Sequence, residues 1–254
     1  MADAGYRFTW FCAVIERLRG NSAIGHVRYS TTGETILRNV QPLFAELAGG
    51  GFAVAHNGNL TNAHTLRTEL VAQGAIFQST SDTETIVHLT ARSTKPRIVE
   101  KLVDALCQVE GAYSLVALTS KKLIGVRDPN GVRPLVMGRL DGAVIFASET
   151  CALDIIGAEY VRDIEPGEMV VVDKDGMTSH FPFKRQQHRF CVFEYIYFAR
   201  PDSTLEGRNV YEARKAIGKV LAEESPAQAD MVIPVPDSGV PAALGYANAA
   251  RIPF

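Results

Sequence analysis

Hydrophobic and polar positions change their period several times along the chain, and each change predicts an element. Ala23 to Tyr29 alternates and predicts a strand, closed by Ser30, Thr31, Thr32 and Gly33. The apolar run Phe52 to Ala55 predicts a buried strand that breaks at His56, Asn57, Gly58 and Asn59, because Asn and Gly tolerate the positive φ of a tight turn. Helical spacing follows over Thr61 to Gln73, with Leu66, Leu70 and Val71 as its apolar positions and Gly74 as its stop. The capping residues Ser79 to Glu84 open a further helix through about Ala91, with Ser81 and Glu84 spaced as a capping box. Arg97 to Val109 places Ile98, Leu102, Val103 and Leu106 on one helical face.

From Tyr113 to Phe183 the pattern turns to strands. They are expected near 113–119, 122–127, 134–139, 143–147, 168–173 and 177–183, with turns at Asp141-Gly142 and at Lys174 to Gly176. A short helix near Thr150 to Ile156 interrupts them. An aromatic segment then runs into Arg200, Pro201, Asp202 and Ser203, and Asn209 to Glu224 has an amphipathic helical face. Met231 to Val235 predicts a strand, Pro236 to Gly239 a loop and Val240 to Ala250 a helix, the opening of a parallel α/β unit. Helices early and hairpins later predict sheets with helices on their outer faces.

Composition narrows the function classes. The 254 residues allow one large or two modest domains, with 46% apolar and 21% charged residues and a net charge of −2. No basic excess points to nucleic acid, and no polybasic block points to a membrane surface. The longest apolar runs have strand length, far from a bilayer span. Cys12, Cys107, Cys151 and Cys191 are widely separated and no leader pattern precedes them, so a cytoplasmic protein with reduced thiols is expected.

Candidate chemistry lies in three separated pieces. Arg28 offers a planar donor fork suited to an α-carboxylate. Asp82, at a helix start, suits an α-ammonium group, and Asn57 with Gly58 suits an amide oxygen that becomes negative. Each has a plainer alternative: a surface ion pair for Arg28, a helix cap for Asp82, a hairpin turn for Asn57-Gly58. His26, His56 and His88 fall in three different elements without metal-ligand spacing, which argues against a zinc site, and His26 and His56 read as positioning residues flanking Arg28 and Asn57.

The wording around these residues carries more than the pattern. Gly25 to Gly33 (GHVRYSTTG), Ala55 to Asn62 (AHNGNLTN), Ser79 to Glu84 (STSDTE), Arg127 to Gly138 (RDPNGVRPLVMG), Ala147 to Thr150 (ASET) and Phe193 to Ser203 (FEYIYFARPDS) resemble the amidophosphoribosyltransferase family of class II glutamine amidotransferases. The resemblance runs from about Asn21 to Phe254. It implies an α+β, four-layer αββα sandwich of the N-terminal-nucleophile (Ntn) hydrolase type over 21–187, then a linker and the start of an α/β type I phosphoribosyltransferase domain over 188–254. It implies Arg28, Tyr29, Thr31 and Asp82 as glutamine binders, Asn57 and Gly58 as the oxyanion hole, and Pro236, Asp237, Ser238 and Gly239 as a pyrophosphate loop. Glutamine hydrolysis would supply ammonia to phosphoribosylpyrophosphate, giving 5-phosphoribosylamine in purine (IMP) biosynthesis. Magnesium accompanies phosphoribosylpyrophosphate in the family, some members hold a [4Fe–4S] cluster, and a homo-oligomer is expected of the full-length form.

The sequence also departs from the family pattern. The family begins with a nucleophilic cysteine whose own α-amine serves as base; residues 1–20 do not align with it, and Cys12 reads as an ordinary apolar-site cysteine. The 5′-phosphate loop of the second domain is expected beyond Phe254. Cys191 matches only one cluster position, and one thiolate cannot hold a cluster, so no cofactor is expected in this chain. A chain truncated at both ends is expected, inactive as it stands and poorly soluble. The rival reading is a catalytically dead glutamine-binding or scaffold module.

Overall fold

The computed structural model describes residues 20–27 and 36–254. Strand β1 (Leu43–Leu47) pairs with the long β2 (Gly50–Leu60), and β2 with β3 (Gly111–Thr119). Strands β4 (Leu123–Arg127), β8 (Met169–Asp173) and β9 (Gly176–His180) complete an antiparallel sheet of order β1-β2-β3-β4-β8-β9. A smaller sheet has the order β6-β5-β7, from β5 (Val136–Leu140), β6 (Ala143–Ala147) and β7 (Glu159–Asp163).

The strand period decides what each face touches. Phe52 and Val54 of β2, Leu115 and Ala117 of β3, Ile124 and Val126 of β4, and Met169 and Val171 of β8 share one face of the large sheet. They bury against Ile86 and Val87 of α2 (Thr83–Arg92) and Leu102 and Leu106 of α3 (Ile98–Leu106), with Ala63 of α1 (Ala63–Ala72) at the margin. Phe52, Ile86 and Leu102 are fully buried, and each such side chain contributes about 1.5–3 kcal/mol. On the opposite face, Val170 and Val172 meet Leu135, Met137, Val144 and Phe146 of the small sheet. The outer side of that sheet is covered by Leu153 of α4 (Thr150–Ile156). Helices, sheet, sheet and helix therefore follow one another as four layers.

Four local expectations before the C-terminal part need correction. Residues 22–27 form no strand, and Val27 is 98% exposed; the rest of that expected strand, including Arg28 and Tyr29, lies outside the described residues, as do Thr31 and Cys12. The His56 to Asn59 stretch is not a turn. Strand β2 runs through it, with His56 opposite Leu115, Asn57 opposite Ser114 and Gly58 opposite Tyr113. A full-length neighbour in β3 supplies a ladder partner for every residue, which outweighs the turn preference of Asn-Gly. The capping box does not close: the Glu84 carboxylate instead accepts from the Gln78 and Ser79 N–H groups and the Ser79 hydroxyl, at 2.6–2.8 Å. Strand β7 was not expected; its exposed Glu159, Tyr160 and Val161 show no alternation, as befits an edge strand beside β5.

The C-terminal part starts with a π-helical turn, Glu194–Phe198, followed by the two-residue strands β10 (Thr204–Leu205) and β11 (Arg208–Asn209). Helix α5 (Val210–Glu224) is capped at Asn209, whose side chain accepts from the Glu212 N–H, and it packs on α6 (Val240–Ala250). The two helix backbones nearly touch. A Cβ on Gly218 would meet the Ala242 carbonyl oxygen at 1.8 Å, and one on Gly245 would meet that of Lys215 at 2.0 Å. Buried Arg214 of α5 donates to the Tyr195 and Ala199 carbonyls, tying α5 to the π turn. Met231 to Val235 is not a strand: among the described residues its backbone tie is one bond from the Val232 N–H to Pro253 O, and a ladder needs a neighbour. No described helix is long and apolar enough to cross a membrane.

Candidate active site

The site forms where β2 ends. His56, Gly58 and Leu60 face the helices, while Asn57, one residue out of step, faces the small sheet. On the helix side the Leu60 N–H donates to Asp82 Oδ2 at 2.9 Å, and His56 Nδ1 stands 3.6 Å from Asp82 Oδ1. The His56 ring is buried, its Nδ1 3.2 Å from the Thr83 hydroxyl and its Nε2 3.4 Å from the Ala112 carbonyl. Gln41 fixes the same corner, accepting from the His56 N–H and donating to Thr83 Oγ1. Burial by itself would raise the Asp82 carboxyl. The hydrogen bond and charge of His56, with the Leu60 and Thr83 N–H groups, outweigh it and hold Asp82 below the usual aspartate value. An anionic carboxylate is thus maintained near the end of β2.

Gly58 needs its missing side chain. Its φ is +154°, and a Cβ there would lie 2.0 Å from the Ala112 carbonyl oxygen and 2.7 Å from His56 Nε2. Any other residue would push β2 away from β3 or displace the His56 ring.

Across the strand, Asn57 is held by groups that sequence reading assigned no role. Arg133 Nη2 donates to Asn57 Oδ1 at 2.9 Å, and Asn57 Nδ2 donates to Ser148 Oγ at 3.3 Å. Arg133 is delivered by the loop after β4. The buried Asp128 carboxylate accepts from the N–H groups of Asn130, Val132 and Arg133, while Arg127 Nε donates to the Arg133 carbonyl at 2.8 Å. Burial pushes the Asp128 carboxyl up despite these bonds. Arg127 is buried too, and its Nη2 reaches Glu206 of the C-terminal part at 2.7 Å.

The π turn meets the same arginine. Arg133 Nη1 is 2.7 Å from Glu194 Oε1, and its guanidinium lies 5.0 Å from the centre of the Phe198 ring. Burial pushes the Glu194 carboxyl up to about 7, with nearby Glu149 adding to the rise and Arg133 and Arg127 opposing it. The turn containing Ser148 also leads to this segment: Glu149 Oε2 accepts from the Arg200 N–H and the Ser203 hydroxyl, and Thr150 Oγ1 from the Thr204 N–H.

The structure therefore brings Asn57, Gly58 and Asp82 to one strand end, with the Asn57 carboxamide and the Asp82 carboxylate on opposite sides of β2. Pro236 to Gly239 form a separate loop at the start of α6. Among the described residues no group of three or more His, Cys, Asp or Glu is arranged to hold a metal ion, so a cluster on Cys191 would need ligands from elsewhere. The words containing Arg133 and Ser148 were recognisable in sequence, and the Asp128 to Gly131 turn was a signal that the next residues are held firmly; their meeting at Asn57 was not.

A profile of the glutamine amidotransferase domain matches residues 26–154, just over half of the chain. The chain belongs to the glutamine amidotransferase family. Within that family it is homologous to amidophosphoribosyltransferases. It is 59% identical over 245 residues to the amidophosphoribosyltransferase of Rhizobium etli, covering 94% of this chain and 49% of that protein. It is 53% identical to the chloroplastic amidophosphoribosyltransferase 1 of Arabidopsis thaliana, covering 94% of this chain and 43% of that one. The solved structure of glutamine phosphoribosylpyrophosphate amidotransferase from B. subtilis, complexed with ADP and GMP, superposes with a TM-score of 0.85 at 46% identity, over 90% of this chain and 50% of that one. The amidotransferase domain thus has the Ntn-type fold of that enzyme, and the chain spans about half the length of these relatives.

Proposed function

We propose that the chain carries the glutamine-binding and amide-polarising part of an amidophosphoribosyltransferase. The observation that carries this reading is the end of β2, where the strand that presents Asn57 and Gly58 also holds an anionic Asp82 through the Leu60 N–H. Asp82 would take the α-ammonium of glutamine and Arg28 its α-carboxylate, with Tyr29 and Thr31 lining the same pocket. The Gly58 N–H and one Asn57 Nδ2 hydrogen would donate to the side-chain carbonyl oxygen as a nucleophile adds and negative charge gathers there. Such preorganised donors are worth about 10²–10³ in rate each. Binding and polarisation are the steps these side chains support.

Ammonia released in the reaction would serve a phosphoribosyltransferase unit that begins within 188–254. Pro236 to Gly239 lead directly into the N-terminus of α6, the arrangement in which backbone N–H groups and the helix dipole favour a phosphate. Phosphoribosylpyrophosphate, with magnesium on its pyrophosphate, would be the partner substrate there, and phosphoribosylamine for purine synthesis the product.

Calorimetry with L-glutamine tests the first half. Binding is expected, and Asp82→Asn should weaken it at least tenfold; absence of heat in the parent chain would overturn the reading. Ammonia release measured alongside separates a hydrolase from a binding-only module: release abolished by Asn57→Ala marks the former, binding without release the latter.

A further inference from the structure

We infer that Arg133 is a positioning residue that sets which way round the Asn57 carboxamide stands, and that the Glu194–Phe198 turn holds Arg133 in place to do so. The inference deepens the proposed function and rests on that reading for its catalytic meaning. A carboxamide offers an acceptor at one end and a donor at the other, and a flip of 180° about its last torsion exchanges them. For Asn57 to help an oxyanion, Nδ2 must face the ligand. A guanidinium offers only N–H donors and no acceptor. Arg133 Nη2, 2.9 Å from the Asn57 side chain, can be satisfied by Oδ1 alone, so the flipped state would set two donors against each other. With Oδ1 so held, one Nδ2 hydrogen goes to Ser148 Oγ at 3.3 Å and the second is left for a ligand.

Arg133 is itself fixed from three directions. Its backbone is clamped by Asp128 and Arg127, its Nη1 meets Glu194 at 2.7 Å, and the Phe198 ring covers its face at 5.0 Å. Glu194 and Phe198 belong to the segment after the amidotransferase domain, so the donor set of the glutamine site depends on a contact from the part of the chain that follows it. Lysine could not replace this arginine in full, because one ammonium cannot reach Asn57 and Glu194 with the same planar fork.

Two measurements decide the matter. In protein labelled with ¹⁵N at asparagine, relaxation of the Asn57 Nδ2 group reports whether the carboxamide is held. The parent should show an order parameter close to that of rigid backbone, about 0.85, and Arg133→Met one below about 0.6, with an otherwise unchanged backbone spectrum. Arg133→Lys should fall between them, and it is read in place of Arg133→Met should the latter not fold. An Asn57 as ordered in Arg133→Met as in the parent would overturn the inference.

The second measurement compares L-glutamine with L-norleucine, which presents the same charged ends but no amide. Arg133→Met should weaken glutamine about fivefold to tenfold, as for one hydrogen bond, and leave norleucine unchanged. An equal loss for both ligands, or for neither, would overturn it, since a merely structural role does not single out the amide. If the parent binds no glutamine, the proposed function falls while the order parameter still decides the orientation of Asn57.

Discussion

Glu194 should make the stability of the chain decline as pH rises through neutrality. Its carboxyl is buried, and burial lifts it from the ordinary glutamate value of 4.5 to about 7. The groups facing it are Arg133 from the loop after β4, Arg127 at the end of β4 and Glu149 before α4. The two arginines favour the anion and Glu149 opposes it. A carboxyl whose folded value lies above its unfolded value binds protons more tightly when folded. Its stabilising contribution is complete below about pH 4.5 and is lost as pH rises through about 7. At about 1.4 kcal/mol per pH unit, the interval from 4.5 to about 7 amounts to about 3 kcal/mol. That is a large fraction of the 5–15 kcal/mol typical of a folded domain.

Glu194→Gln isolates this effect, since Gln keeps an acceptor for Arg133 and cannot ionise. Urea unfolding of the parent and the variant should be compared between about pH 4.5 and 8.5. Every other titrating group is common to both, so the difference between the two curves belongs to Glu194. The variant should gain on the parent by about 3 kcal/mol across that range, a relative shift of about 1 M in the midpoint for a slope near 3 kcal/mol per molar. Midpoints that move in parallel would refute the reasoning and mean that attraction from Arg133 and Arg127 fully offsets the burial of the charge.

Two further outcomes follow from β2 and its neighbour. Gly58→Ala should cost about 2–4 kcal/mol in urea unfolding, since its Cβ would sit 2.0 Å from the paired Ala112 carbonyl at a φ of +154°; a midpoint like that of the parent would show that β2 and β3 separate there freely. Asp82, with its folded value below 3.8, contributes stability that is present above that value and lost as pH falls through the folded one. Asp82→Asn should therefore cost about 1–3 kcal/mol at about pH 7 and progressively less as pH falls below 3.8, and a cost that does not vary with pH would count against the charge being its source.

Much of the fold was readable because its cores obey single periods. Ile98, Leu102 and Leu106 mark one face of α3, and Val170 with Val172 alternate against Met169 with Val171 in β8, so each element shows what it buries. The misreadings occur where pairing decides and local pattern does not. Asn57-Gly58 has the composition of a hairpin turn, yet β3 offers backbone partners from Gly111 to Thr119 and the ladder prevails. Met231 to Val235 has strand composition and, among the described residues, no strand beside it. The same composition yields opposite outcomes because a strand is a property of two segments.

The candidate site was readable to the same depth. Asn57, Gly58 and Asp82 stand in distinctive words, and polar residues beside small ones at an element boundary suggest ligand contacts. What those words omit is orientation. Arg133 lies 76 residues from Asn57, and Ser148 lies 91; no spacing rule links positions so far apart, and only the stacking of two sheets brings them together. Yet the consequence is strict once they meet. An arginine can only donate, so the end of the carboxamide that accepts must turn to it, and the end that donates must turn to whatever enters the site. Under the proposed function, the polarity of the Asn57 donor would thus be decided by a residue that need never touch the ligand.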